Sequence, residues 1–298
     1  MTVADALNVQ QRSVSFREAE IFLGHAMGVE RVWLTAHPEA HLTAEQESAF
    51  AETLRRREAN EPVAYITGHK EFYGRPFKTD HRALIPRPET EGLIDRAMEW
   101  LPVHFQAHLK ATNKPCPLYV LELGTGVGNI AITLAAELAA RSLPATILAT
   151  DIAADALELA AENQSRLFPA DPRDLVRLRF LQADLFDHAD IKKAAPYDLI
   201  IANLPYVPDA WRFDPAAQPE VVFQEPEIAL FGGVDGLDHY RNFFAVAADF
   251  LKEDGRILIE YGEDETGDIT PLAQAAFPER TVNAYKDYAG LDRVLEIA

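Results

Sequence analysis

Asn203-Leu204-Pro205-Tyr206 sets an amide side chain, a backbone carbonyl and a restrained turn side by side, at the end of the apolar run Asp198-Leu199-Ile200-Ile201-Ala202. An amide nitrogen, or an amino nitrogen on an aromatic ring, has a delocalised lone pair and is a weak nucleophile towards an electrophilic methyl group. The side-chain oxygen of Asn203 and the carbonyl of Leu204 can each accept one N–H of such a target. Held that way, the nitrogen faces the methyl carbon in line. The positive charge developing on it meets two dipoles, so the chemistry is orientation plus electrostatic stabilisation and requires no strong base. Pro205 restricts the backbone, and Tyr206 offers a ring on which a flat group can stack. An Asx-turn closing a strand is the plain structural alternative for these residues.

A second segment, Leu121-Glu122-Leu123-Gly124-Thr125-Gly126-Val127-Gly128, passes from an apolar strand directly into a helical pattern. Alternating glycines let the chain turn sharply and let a ligand come close to the backbone. The spacing differs from the G-x-G-x-x-G of nicotinamide binding, because the third glycine arrives one residue sooner and Asn129 follows it. Asp151 ends the next strand, 23 residues after Gly128. Its carboxylate can accept hydrogen bonds from both ribose hydroxyls of an adenosine cofactor, so spacing alone leaves NAD and S-adenosylmethionine open. Asp184 ends the third strand, where it can meet an adenine amino group, cap a helix or solvate a loop.

These residues need a sheet to carry them. Strands are expected at 119–123, 146–150, 179–182, 198–202 and 256–261, with helical patterns between most of them, for example 129–140 and 153–166. Such alternation predicts an α/β fold with a mainly parallel sheet covered on both faces. Segments 280–285 and 293–297 are joined too closely for a crossover and must pair antiparallel. Upstream, residues 1–72 read as helical. Phe16, Ala19, Leu23 and Met27 recur at helical spacing behind Ser15 as an N-cap, and Thr43 with Gln46 forms a capping-box pattern. Arg55-Arg56-Arg57 falls at a helix C-terminus, where cations favour the dipole, and Pro62 is expected to close the segment. A hairpin turning at Gly74 and the stiff stretch Ile85-Pro86-Arg87-Pro88 mark the junction. Arg87 and Glu89 either line the site or simply begin a helix. Glu225–Leu237, with Gly232, Gly233 and Gly236 for mobility, is either a loop closing over the substrate or a surface turn.

Composition narrows the partners. The 298 residues carry 47 acidic and 28 basic side chains, a net charge of −19. Counterion release favours basic surfaces on nucleic-acid binders, so this balance argues against a phosphate backbone as the main partner. A single cysteine, Cys116, excludes an internal disulfide, and the nine histidines show no metal-ligand spacing. The N-terminus has no signal-peptide pattern and no apolar run reaches membrane-span length, so a cytoplasmic location is expected.

Together the motifs resemble the HemK/PrmC family of protein glutamine methyltransferases, which are class I S-adenosylmethionine-dependent enzymes. The resemblance spans nearly the whole chain. It includes Glu61-Pro62-Val63-Ala64-Tyr65-Ile66-Thr67-Gly68, Phe72-Tyr73-Gly74, Ile85-Pro86-Arg87-Pro88-Glu89-Thr90-Glu91, the glycine turn, Glu225–Leu230, Gly233–Leu237 and Asp287–Val294. It implies a Rossmann-like sheet with an antiparallel C-terminal hairpin and a small N-terminal helical domain that docks the substrate. The implied domains are 1–72 for docking, 73–90 for hairpin and linker, and 91–298 for catalysis. The implied reaction is methylation of the glutamine amide in the Gly-Gly-Gln motif of peptide chain release factors. By position, Gly124, Thr125, Gly126, Val127, Gly128, Asp151 and Asn203 would contact S-adenosylmethionine, and Asn203, Leu204, Pro205 and Tyr206 the glutamine. Asp184 and its neighbour Leu185 would line the adenine pocket. No metal is expected, and a monomer is expected.

One residue departs from the pattern. The family's tetrapeptide is usually Asn-Pro-Pro-Tyr, and Leu204 keeps the carbonyl while giving up φ restriction. Asn-Leu-Pro-Tyr is also similar to the motif of rRNA adenine dimethyltransferases. A sister group that methylates a ribosomal protein is a nearer alternative, although Arg87-Pro88-Glu89-Thr90-Glu91 fits the release-factor branch better. A binding module that keeps the pocket without turnover is the non-enzymatic alternative.

Overall fold

The computed structural model describes residues 1–8, 14–169, 173–213 and 224–298. Met1–His69 lies in one compact unit, and the stretches beginning at Lys70 and at Glu225 lie in a second. In the first unit, the helices Phe16–Met27 and Ala44–Glu58 begin at the expected caps. Ser15 and Thr43 each form a capping box, with Glu18 and Gln46 respectively. Their apolar faces meet around Phe22, Leu23, Phe50 and Leu54. Residues 9–13 of the expected helical segment lie outside the described residues.

One expectation changes here. Pro62 does not close the segment; it is the N-cap of a further helix, Val63–Thr67. A proline fits there because the first N–H groups of a helix have no intrahelical acceptor to lose. The preceding helix stops at Ala59–Asn60, with Asn60 left-handed at φ 63°. The three arginines in its last turn are paired with the carboxylates of Glu52, Glu61 and Glu18.

A hairpin of β1 (His69–Phe72) and β2 (Arg75–Lys78) comes next in the chain, and from Lys70 on it belongs to the second unit. Tyr73 and Gly74 turn it with φ of 51° and 73°, the paired positive values of a type I′ turn. The backbone N–H of Lys78 donates to Asn163 Oδ1 at 2.7 Å, and Asn163 Nδ2 donates to the carbonyls of Lys78 and Val127, each at 3.0 Å. One buried amide thereby ties the hairpin to the glycine turn.

Beyond the helix Glu91–Thr112 come β3 (Leu118–Leu123), β4 (Ala145–Asp151), β5 (Val176–Gln182), β6 (Tyr197–Ala202), β7 (Leu251–Glu260), β8 (Val282–Lys286) and β9 (Asp292–Ile297). They form one sheet in the order β5-β4-β3-β6-β7-β9-β8. β3 to β7 are parallel, and β9 runs antiparallel to both β7 and β8. The fold is thus the α/β architecture expected, with a mostly parallel sheet and an antiparallel C-terminal hairpin. Successive strand residues feed opposite layers: Val120, Ile147, Leu199 and Ile201 join the helices on one face, and Leu121, Leu148, Ile200 and Ala202 those on the other. Chain order reverses between β3 and β6, so the crevice at their carboxyl ends is the natural ligand site of such a sheet. No helix among the described residues is long and apolar enough to cross a membrane.

Candidate active site

β3 delivers the glycine turn to that crevice. Gly124, Gly126 and Gly128 all have positive φ, at 73°, 53° and 83°. At Gly126 a side chain would meet nothing nearer than Ala83 Cβ at 4.0 Å, so a ligand can approach its backbone. Gly128 does something else. It is the N-cap of the helix Asn129–Ala140, its missing Cβ makes room for Ile132 and Ala160, and it does not line the cavity.

The turn is held from beneath and from one side. Thr125 N–H donates to the carbonyl of Thr150 at 2.8 Å, and its hydroxyl donates to Glu122 Oε2 at 2.8 Å. Asp151 accepts from Gly126 N–H at 2.8 Å through Oδ2 and from Ala153 N–H at 2.9 Å through Oδ1. Burial raises the Asp151 pKa, against the pull of these N–H groups. Each carboxylate oxygen retains accepting capacity towards the cavity.

Glu122 is fully buried beneath the turn, which pushes its pKa up to about 8, and its Oε1 has no hydrogen-bond partner. Folding therefore raises its pKa from 4.5 to about 8. Within that window the native state holds a proton that the unfolded state has released, so this group makes stability fall as pH rises. Glu122→Gln removes the titration. Its melting temperature relative to the unmodified chain should climb between about pH 4.5 and about pH 8 and level off above that; a difference that does not change with pH would show that Glu122 carries no such proton.

A cavity of about 280 Å³ opens above the turn. Asp151, Ile152, Ala183, Asp184 and Leu185 line one end, and Ile85, Pro86, Arg87, Thr90, Asn203, Leu204 and Pro205 the other. Leu185 has a φ of 45°, a conformation that costs a branched residue about 1–3 kcal/mol and marks a shaped rim. Arg87 pairs with buried Glu225 at 2.5 Å, and Glu225 also accepts the N–H of Ile85 at 2.9 Å, which pins the proline-rich wall.

β6 delivers the tetrapeptide. Asn203 Nδ2 donates to Thr90 Oγ1 at 3.2 Å, leaving Oδ1 as the amide's free acceptor. The N–H of Leu204 donates to Tyr240 Oη at 3.3 Å. The single Tyr240 proton has two acceptors in reach, the carbonyls of Glu260 and of Leu204, and that of Glu260 is closer. The Leu204 carbonyl thus stays open. The buried Leu204 side chain packs against Gly124, where a Cβ would come within 3.2 Å of its Cδ2. Tyr206 does not line the cavity. Its ring packs into the apolar layer containing Leu204 and Tyr240, and its hydroxyl donates to Glu260 Oε1 at 3.2 Å. The glycines expected to give mobility instead permit close packing: a Cβ on Gly232 would lie 2.6 Å from the Pro205 carbonyl oxygen, and one on Gly236 would lie 2.2 Å from that of Tyr206.

Residues 3–68 match the PrmC N-terminal domain, and residues 118–294 match a methyltransferase domain. A release factor glutamine methyltransferase of Cereibacter sphaeroides is 38% identical over 94% of this chain and 89% of its own. One from Bacillus anthracis is 33% identical over 96% of this chain and 94% of its own. The chain belongs to the release factor glutamine methyltransferase family. A solved "delta-N METTL16 MTase domain" is 17% identical over 81% of this chain and 95% of its own, with a TM-score of 0.50, a likeness of fold.

As a member of the release factor glutamine methyltransferase family, the chain is an enzyme that uses S-adenosylmethionine. The cavity fits that group. It offers open backbone at Gly126, a carboxylate at Asp151 with accepting capacity to spare and an acidic, shaped rim at Asp184 and Leu185. Two residues beside the tetrapeptide, Thr90 and Glu260, went unassigned from sequence. Glu260 did carry a signal, as an acidic residue ending the apolar run Ile257-Leu258-Ile259.

Proposed function

We propose that this chain methylates the side-chain amide of the glutamine in the Gly-Gly-Gln motif of peptide chain release factors. The observation that carries the acceptor is likeness to release factor glutamine methyltransferases along almost the full length, with the PrmC N-terminal domain included. The helical residues up to Gly68 serve as the docking domain, the hairpin from His69 and the stretch to residue 90 as linker, and 91–298 as the catalytic domain. The enzyme acts in the cytoplasm as a monomer on a protein, with no nucleic acid or membrane as partner. Its net charge of −19 suits an acceptor with a basic surface, which it would steer towards itself.

Gly124, Thr125, Gly126 and Val127 cradle the cofactor, Asp151 takes its ribose hydroxyls, and Asp184 with Leu185 bounds its adenine. When bound, S-adenosylmethionine supplies an electrophilic methyl carbon. Asn203 Oδ1 and the Leu204 carbonyl accept the two amide protons of the substrate glutamine. That fixes the plane of the amide and stabilises the positive charge that develops on nitrogen during transfer. Pro205 restrains the backbone between them. Tyr206, whose pKa is driven upward by burial and by Glu260, stays a neutral phenol and braces the tetrapeptide from behind. The proline wall 85–88, held by Glu225, keeps bulk water from the amide.

Labelled S-adenosylmethionine tests this reading with three acceptors offered in parallel: a release factor, ribosomal proteins and naked rRNA. Label should enter the release factor alone. Label confined to a ribosomal protein or to rRNA would replace the acceptor assignment with one of those alternatives.

A further inference from the structure

The direction of the Leu204 carbonyl is set by the φ and ψ of Leu204 itself. Pro205 governs one of them, because a residue before proline is held to extended backbone and its ψ is confined. Leucine leaves φ open, since only a proline ring closes that rotation covalently. What fixes it here is a contact at each end of the N–Cα bond. The buried Leu204 side chain seats against Gly124, where a Cβ would come within 3.2 Å of its Cδ2. On the other side, the Leu204 N–H donates to Tyr240 Oη at 3.3 Å and so orients the preceding peptide plane. A peptide plane held at one end and a Cβ held at the other define φ.

Tyr240 is built to be a fixed acceptor. It lies on the helix Asp238–Phe244, is completely buried, and its ring centroid is 6.4 Å from that of Phe244. The N–H of Asp238 donates to the carbonyl of Gly232 at 2.9 Å, which ties the start of this helix to the segment packed on Pro205. Burial drives the Tyr240 pKa well above its ordinary value, so the phenol keeps its proton. That proton goes to the carbonyl of Glu260 at the end of β7, nearer than the Leu204 carbonyl at 3.3 Å. With its proton engaged there, Oη faces the Leu204 N–H as an acceptor. Donation therefore runs from the Leu204 N–H through the phenol to the sheet.

We propose that Tyr240 is a positioning residue that holds the Leu204 carbonyl towards the substrate amide, its hydroxyl doing through the Leu204 N–H what a proline ring does covalently. This rests on the glutamine-transfer reading above. The Asn203–Leu204 peptide carries Asn203 at its other end, so the same bond also registers the other acceptor. Tyr240 does not line the cavity and acts only through the tetrapeptide.

Two changes, alone and together, test whether one restraint replaces the other. Tyr240→Phe removes the acceptor and keeps the ring. It should lower kcat for methyl transfer to a release factor by about 10-fold, with KM for the factor and affinity for S-adenosylmethionine within about 2-fold of the unmodified chain. Leu204→Pro removes the N–H but closes φ with a ring, so its kcat should stay within about 3-fold. In that background, adding Tyr240→Phe should cost less than about 2-fold, because the Glu260 carbonyl loses its donor in both backgrounds and that effect cancels. Amide hydrogen exchange reads the anchorage without chemistry. In Tyr240→Phe the Leu204 N–H should exchange about 10-fold faster or more, while the Thr125 N–H, bonded to the Thr150 carbonyl at 2.8 Å, keeps its rate. Exchange needs no change at Leu204, so it decides even where Leu204→Pro does not fold. Equal losses in the two backgrounds, a folded but inactive Leu204→Pro, or unchanged exchange at Leu204 would overturn the proposal. A Leu204 N–H released by Tyr240→Phe, in a protein that transfers nothing to the factor, would uphold the anchorage and overturn the acceptor assignment.

Discussion

Asn203→Ala is expected to lower methyl transfer by about 10²–10³-fold, the loss typical when one preorganised dipole is removed from a developing charge. Affinity for S-adenosylmethionine should change only a few-fold. The expectation rests on two different duties within one crevice. Asp151, Asp184 and Leu185, proposed above to frame the ribose and adenine, line one end of the crevice, while Asn203 stands at the other end beside Leu204 and Pro205. Deleting its side chain removes one of the two acceptors proposed for the substrate amide and leaves the glycine turn intact. Because Asn203 Nδ2 bonds Thr90, the alanine variant also leaves a buried hydroxyl without that donor. A modest fall in melting temperature should therefore accompany the loss of rate, and rate should fall far more than stability explains. Stopped-time assays at saturating cofactor, set beside calorimetric binding, separate the two. An alanine variant with unchanged kcat would remove Asn203 from the chemistry.

Asp151→Ala should do the reverse, weakening S-adenosylmethionine binding by about 10²-fold or more. Two hydrogen bonds to a charged acceptor, each worth about 1.5–3 kcal/mol, account for that range. The carboxylate also fixes its own surroundings, since it holds Gly126 N–H at 2.8 Å and Ala153 N–H at 2.9 Å. Alanine frees both donors and lets the turn relax, so the affinity loss should exceed that of Asp151→Asn, which keeps one acceptor oxygen. Calorimetric titration reads the dissociation constant directly, and kcat at saturating cofactor should stay within several-fold. Unchanged affinity in Asp151→Ala would contradict the ribose assignment.

Local pattern carried much of this. The helix Asn129–Ala140 has the bounds its periodicity and Gly128 imply, and the antiparallel pairing of β8 and β9 follows from their short connection. Other features were out of reach. β7 begins at Leu251 rather than 256, because its first half, Lys252-Glu253-Asp254-Gly255, has no strand pattern and joins β6 through an irregular register at Tyr197 and Leu199. The helix Glu91–Thr112 continues through Pro102, which as a letter argues for a break. Thr90 and Glu260 are far apart in the chain, so no spacing rule joins them, and only the meeting of β7 with the 3₁₀ turn Pro88–Thr90 does. Leu204 shows the limit most plainly. As a departure from proline it reads as lost restraint, yet its N–H donates to Tyr240 and its side chain packs the glycine turn, an anchorage that proline's missing N–H could not supply.

The most direct measurement is mass spectrometry of release factor purified from cells that carry this protein and from cells that lack it. The peptide containing Gly-Gly-Gln should bear one methyl group, localised by fragmentation to the glutamine side chain, in the first sample and none in the second. Restoring the intact chain should return the methyl group, and restoring Asn203→Ala should not. An unmethylated glutamine in cells that carry the protein, or a methyl group that persists when it is absent, would contradict the assignment of this chain as the enzyme that places it.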